Sequence, residues 1–334
     1  MSTSVRQKSR LPRGSGEHAV PRRSRRDFLS TMGAGLAGVL GARGALHGAQ
    51  ASPGAEARVA ATGPLGGEVL AIAGRYRKVD AHAHLGFGPS LRLPTEALLR
   101  AADQLQVERL AISIPSGPQP SHVAAANAQV LEAVRAYPDR LIGQCCVNPL
   151  YPEAAREEVK RCLGEGMWGL GELYTYAKAS DPVYFPLVEL CIAHRAPLLW
   201  HARADLAFVR PGVATTEPRT TTTAADLVEL AGRYPEAVLI HGHIGGGGDW
   251  EQACLALRDT PSVWVDTSGS VSERGMVEFA VRTLGSNRVL FGTDMNFEAG
   301  VGKVLSANLT EFERERVFSG NINELLRQRG LHAH

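Results

Sequence analysis

A chain of 334 residues, 44% of them hydrophobic and 21% charged, can bury a large core, which excludes the disordered and fibrous classes. The net charge of +2 averages two unlike parts: residues 1–51 hold nine of the 36 Lys/Arg and two of the 34 Asp/Glu, leaving 27 basic and 32 acidic residues for the rest. The remainder is therefore mildly acidic, and it offers no electrostatic case for nucleic-acid binding.

The basic leader has an order of its own. Arg25-Arg26 closes a run of arginines, residues 32–46 are rich in Gly, Ala and Leu, and Ala49-Gln50-Ala51 follows. Twin arginines, a weakly apolar segment and a small-x-small site read as a twin-arginine export signal. The expected partner is the twin-arginine translocation machinery, with cleavage near Ala51 and a periplasmic or secreted product. Arg43 and the glycines interrupt the apolar run too soon for a membrane span, and no cysteine follows the site to carry a lipid, so no stable membrane anchor is expected. Cys145, Cys146, Cys162, Cys191 and Cys254 are odd in number and scattered, which argues for buried apolar residues rather than a disulfide framework. Residues 52–75, rich in Ala, Gly and Pro, read as a linker.

From Tyr76 onward strand-like apolar runs alternate with amphipathic helical segments, the pattern of a parallel α/β sheet. Strands are expected at 79–85, 109–115, 141–148, 167–174, 197–201, 237–243, 263–267 and 289–294. Helices are expected at 94–106, 121–136, from Pro152, and at 182–194, 223–233, 249–259, 274–284 and 311–328. Eight of each in about 250 residues point to one (β/α)8 TIM barrel over 76–334. A doubly wound open sheet is the alternative, but it would not draw every polar strand end to one place.

The strand ends are where the chemistry gathers. Strand one carries His82 and His84, two residues apart and so on one face. Strand four carries Glu172 between apolar neighbours, strand five ends in His201, strand six in His241-Gly242-His243, and strand eight in Asp294. Active sites of this barrel lie on that face. Burying so many ionisable groups together without a cation would be costly, so a divalent metal is expected. Imidazole and carboxylate without thiolate suit zinc best and admit manganese, iron or cobalt. One ion would sit on His82, His84 and Asp294, and a second on His201 and a strand-six histidine, with Glu172 between them. A water so held becomes a nucleophile, and Asp294 can take its proton.

The phrases VDAHAHL, HGHIGG, VWVDTSG and FGTDMN, with GNINELL near the end, resemble the amidohydrolase-related subgroup of the amidohydrolase superfamily over residues 76–327. The resemblance implies His82, His84, His201 and Asp294 as metal ligands, with Asp294 also a proton carrier. It makes a strand-six histidine either a second-metal ligand or the acid/base. His243, before Ile244-Gly245-Gly246, matches the family phrase better than His241. The expected activity is metal-dependent hydrolysis of a small-molecule amide, ester, lactone or phosphoester. The subgroup also includes one-metal decarboxylases of aromatic or unsaturated acids, which forms the alternative, and a non-catalytic binding barrel is a lesser one. GLGEL is similar to TatD-like nucleases, a reading the acidic remainder disfavours. Arg203 is a candidate for a substrate carboxylate or phosphate, and His241 for a second substrate contact. Gly245 to Gly248 could cradle an anion, and Asp266 could orient a ligand histidine. The loop 202–222, with Arg210, Pro211 and Arg219, is a candidate specificity loop. Trp168 and Trp200 read as packing. Homo-oligomerisation is left open.

Overall fold

The computed structural model describes residues 64–87, 91–203, 220–244 and 249–332. Eight parallel strands follow one another in sequence order around a single sheet. They are β1 (Lys78–His84), β2 (Val107–Ser113), β3 (Leu141–Cys145), β4 (Gly169–Leu173), β5 (Leu198–Trp200), β6 (Leu239–His241), β7 (Val263–Asp266) and β8 (Val289–Leu290). The first and last strands meet. Ala81 N donates to Phe291 O and Asp294 N to His82 O, each at 2.8 Å. Beside them the Asp80 carboxylate accepts from Thr293 N at 3.1 Å and Thr293 Oγ1 at 2.5 Å. The result is the (β/α)8 barrel that the strand pattern predicts.

The helices are α1 (Pro64–Ala73), α2 (Thr95–Gln104), α3 (Pro120–Ala136), α4 (Pro152–Gly164), α5 (Phe185–His194) and α6 (Ala224–Arg233), followed by α7 (Trp250–Leu257), α8 (Met276–Leu284), α9 (Phe297–Ser306), α10 (Glu311–Glu315) and α11 (Asn321–Arg329). Proline opens α3 and α4, where its missing N–H costs nothing. A capping box between Thr223 and Asp226 starts α6.

Three expectations change. The span 52–75 is not linker throughout, because α1 begins at Pro64. Helix α9 was not expected, since Gly300 and Gly302 make its sequence read as a loop. Gly300 is needed there: a Cβ would come within 2.8 Å of Thr293 Cγ2, so the glycine lets α9 close on the end of the barrel. The last expected helix is divided into α10, a π turn at Arg316–Gly320, and α11.

Two apolar layers hold the ring. Val79, Ala111, Ile142, Trp168, Leu199 and Ile240 fill its interior and are continuous with Ile322, Leu325 and Leu326 of α11. Leu110, Leu141, Leu198, Trp200, Leu239 and Val265 belong to the larger layer shared with the helices. Trp168 and Trp200 are thus packing residues. All five cysteines are buried and free of disulfides, and no described helix is long and apolar enough to cross a membrane. The leader with Arg25-Arg26 lies outside the described residues.

Candidate metal centre

The strands deliver their polar ends to one place. His82 and His84 lie on β1 and Glu172 on β4, while His201 follows β5 and His243 and Asp294 lie just past β6 and β8. His243 (φ 62°), Asp294 (φ 48°) and Met295 (φ 68°) adopt left-handed backbone. Non-glycine residues are held there only when their surroundings dictate it, a condition that clusters at functional sites.

Two groups of donor atoms result, one from His82, His84 and Asp294 and one from His82, Glu172 and His243, each with its atoms within 4.8 Å of one another. His84 Nε2 stands 3.2 Å from Asp294 Oδ1. Glu172 faces both ways. Its Oε1 is 2.7 Å from His201 Nδ1 and 2.6 Å from His243 Nε2, and its Oε2 is 3.5 Å from His84 Nε2 and 3.7 Å from His82 Nε2. His82 Nε2 is buried with no hydrogen-bond partner among the described residues, which is costly unless something binds it. Imidazole and carboxylate donors converging on such an atom fit a divalent ion. The Asp294 side chain is 30% exposed and that of Glu172 2%, so the site opens on the Asp294 side.

Electrostatics reinforce the cluster. Burial pushes the Glu172 carboxyl up, but the charges and hydrogen bonds of His243 and His201 outweigh it and hold the group well below the usual carboxylate range. Asp294 is lowered in the same way, burial being overcome by the His84 hydrogen bond and the histidine charges. His82 moves the other way: burial lowers it, and Asp266 and Glu172 together raise it well above an ordinary histidine.

The far nitrogens of three rings are also fixed. His82 Nδ1 meets Asp266 Oδ2 at 2.8 Å, His84 Nδ1 meets Ser113 Oγ at 3.0 Å, and His243 Nδ1 meets Ser268 Oγ at 3.0 Å. Asp266 thus has the orienting position expected of it. Ser113 and Ser268 were not singled out from sequence, nor was Lys303 of α9. The Lys303 ammonium donates to the carbonyls of Thr267, Ser268 and Gly269 at 3.1, 3.4 and 2.6 Å.

His241 does not join the cluster. It shares the strand parity of Leu239, which packs in the outer layer, and both of its ring nitrogens are buried without a partner among the described residues. Burial lowers its pKa, with Asp249 opposing. His241 and His243 are two residues apart but part company, because β6 ends at His241 and the chain turns before His243. Arg203 is half-buried beside Thr222, whose carbonyl accepts its backbone N–H at 2.9 Å, and it belongs to neither donor group. Arg210, Pro211, Arg219 and Gly245 to Gly248 lie outside the described residues.

The amidohydrolase family profile matches residues 79–328, and the chain belongs to that family. No curated protein sequence matches it. The barrel is similar to 2,6-dihydroxybenzoate decarboxylase from Rhizobium, at 17% identity and a TM-score of 0.61, over 75% of this chain and 99% of that one. It is also similar to a dihydroxybenzoic acid decarboxylase from a Polaromonas species, solved with manganese and 2-nitroresorcinol, at 19% identity and a TM-score of 0.60 over 75% and 97%. A third similar structure is 4-oxalomesaconate hydratase from Rhodopseudomonas palustris, at 15% identity and a TM-score of 0.56 over 75% and 96%.

Proposed function

We propose that this protein is a metal-dependent decarboxylase of an aromatic or unsaturated carboxylic acid. The observation that carries the reading is that Glu172 Oε1 is already engaged by His201 and His243 at 2.7 and 2.6 Å. The remaining donors, His82, His84, Asp294 and Glu172 Oε2, then serve one ion, with His201 at its edge. The similar barrels support the same reading, since two are decarboxylases of dihydroxybenzoates and one of these holds manganese. Manganese therefore stands beside zinc as the expected ion.

When bound, the ion would supply positive charge that holds the acid's oxygens and offsets electron density gathering in the unsaturated system. His243 holds a proton at Nε2, shared with Glu172 Oε1, and is the acid/base. The proton passes to the carbon bearing the carboxylate, the carbon–carboxyl bond breaks with its electron pair returning to the π system, and CO₂ leaves. Asp294, the most open of the charged groups, can return a proton from solvent.

Hydrolysis is the second reading, and a specific observation favours it. Glu172 faces both donor groups, as a carboxylate between two ions would. Metal content decides between them. The one-ion reading expects about one ion per chain, still a single ion but more weakly held in Glu172→Gln, and CO₂ release that falls by about 10²- to 10⁴-fold in His243→Ala. Two ions per chain, with cleavage of esters or amides and no CO₂ from carboxylated aromatics, would overturn it.

A further inference from the structure

We propose that Lys303 is a positioning residue: by fastening the loop that follows β7, its ammonium fixes where the His243 ring stands against Glu172 and His201. This role rests on the decarboxylase reading only for the turnover that the ring serves.

Helix α9 reaches the loop because it closes on the end of the barrel. Gly300 packs against Thr293, beside Asp294, and Lys303 lies about one turn further on, on the same buried face. Lys303 is 8% exposed. Its ammonium offers three hydrogens and no acceptor, and three carbonyls meet it: Thr267 at 3.1 Å, Ser268 at 3.4 Å and Gly269 at 2.6 Å. All three belong to consecutive residues of one loop. Gly269 takes φ 95°, a conformation open to glycine without strain. Burial lowers the Lys303 pKa to about 8, against Asp266 and Asp294, so the group is charged at neutral pH. A methionine would fill much the same space at less desolvation cost, so packing alone does not call for a lysine here.

What the loop carries is the wall behind two rings of the cluster. Ser268 Oγ stands 3.0 Å from His243 Nδ1 and 3.3 Å from His82 Nδ1, and the hydroxyl also bonds the Asp266 carboxylate. The Ser268 N–H donates to Asp266 Oδ1 at 2.9 Å, and Thr267 Oγ1 meets Gly292 N and O at 3.2 and 3.3 Å. The two rings depend on this loop unequally. His82 Nδ1 is held by Asp266 Oδ2 at 2.8 Å, and Asp266 is the last residue of β7, paired with Leu290 of β8. His243 has Ser268 Oγ at Nδ1, with Asp294 Oδ2 further off at 3.7 Å, and at Nε2 it has Glu172 Oε1 at 2.6 Å and His201 Nδ1 at 3.0 Å. Which nitrogen carries the proton does not enter, because a loop that shifts takes Ser268 Oγ from His243 in either tautomer. Losing Lys303 should therefore disturb the His243 ring more than the ion-binding His82.

The test compares full-length Lys303→Met, Ser268→Ala and the double variant with the unaltered protein, all loaded with diamagnetic Zn²⁺ and labelled with ¹⁵N in their histidines. In Lys303→Met the His243 ring resonances, assigned by their loss in His243→Gln, should shift while those of His194 stay and metal content holds at its native value. With a carboxylated aromatic as substrate, kcat should fall by about 10- to 100-fold at nearly unchanged KM. The double variant should be no slower than the slower single one, since both act through one contact. Propylammonium, which supplies the atoms that Lys303→Ala lacks, should restore turnover where 1-propanol does not. Unmoved His243 resonances, losses that multiply in the double variant, metal lost in step with kcat, or equal rescue by 1-propanol each overturn the proposal. If Lys303→Met does not fold, Lys303→Ala prepared in propylammonium carries the same readouts as the amine is withdrawn. If the unaltered enzyme releases no CO₂ from any carboxylated aromatic, the decarboxylase reading fails while the resonance shift still decides the role of Lys303.

Discussion

Asp266 shows how one side chain can set several others. It binds the ring of His82 and the backbone of both His243 and Ser268, and although burial pushes its carboxyl up, the His82 charge and hydrogen bond hold it below the usual range. Removing the charge should loosen the ring that presents His82 Nε2. Asp266→Asn is expected to weaken metal retention by about 10- to 100-fold, measured by competition against a chelator. Equal retention would reduce Asp266 to a strand-ending residue. The donors themselves were legible in the sequence because histidines and acids at the ends of apolar runs stand out, and the strand period says which pairs share a face. Ser113, Ser268 and Lys303 were not, because a serine or lysine has many ordinary uses. Their partners also lie far along the chain, as with Ser268 and His82, 186 positions apart.

Among the elements, the junction of β5 and β6 places a tight demand on sequence beside the metal centre. Gly242 leaves no room: a Cβ would meet Trp200 O at 2.6 Å and His82 Cε1 at 3.4 Å. Gly242→Ala must move either the β5 backbone or the His82 ring. It should cost about 1–3 kcal/mol, read as a lower melting temperature with reduced metal content. Gly232 in α6 is a control, since nothing lies within 4 Å of its would-be Cβ. Alanine there should stabilise by about 0.5–1 kcal/mol, and if the two substitutions behave alike the close approach at Gly242 is not what matters. Both glycines look the same in the sequence. The strands were legible as apolar runs bounded by proline and glycine, yet β5, β6 and β8 are shorter than the runs suggest. Their last residues turn away to carry His201, His243 and Asp294, and the demands of the site override strand propensity. Helix α9 was hidden for a related reason, since the glycine that permits its packing also lowers its helical signal.

Across the whole molecule, two buried lysines tie one element to another and give stability a pH dependence. Lys78 Nζ donates to Ala73 O at 2.7 Å and Tyr76 O at 2.8 Å, joining the end of α1 to β1. Burial lowers its pKa to about 8, with Glu108 opposing, and burial lowers Lys303 to about 8 against Asp266 and Asp294. Below pH 8 both are charged in the folded and unfolded chain alike, and the cost of burying that charge is fully present. Between about 8 and the ordinary 10.5 the unfolded chain binds more protons than the folded one, so this contribution to stability rises with pH. The urea midpoint of the native protein should therefore climb from pH 8 to 10 relative to that of Lys78→Gln; parallel curves would remove Lys78 from the account. The seam of the ring has a consequence of another kind. His82 O accepts the N–H of Asp294, so the earliest and latest members of the cluster along the chain are stitched to each other by their own backbone. A partly synthesised chain that lacks its final strand possesses His82 and His84 but not their third companion. Any ion shared by His82, His84 and Asp294 can thus be captured only once the circle has closed, and its retention doubles as a certificate of completed folding.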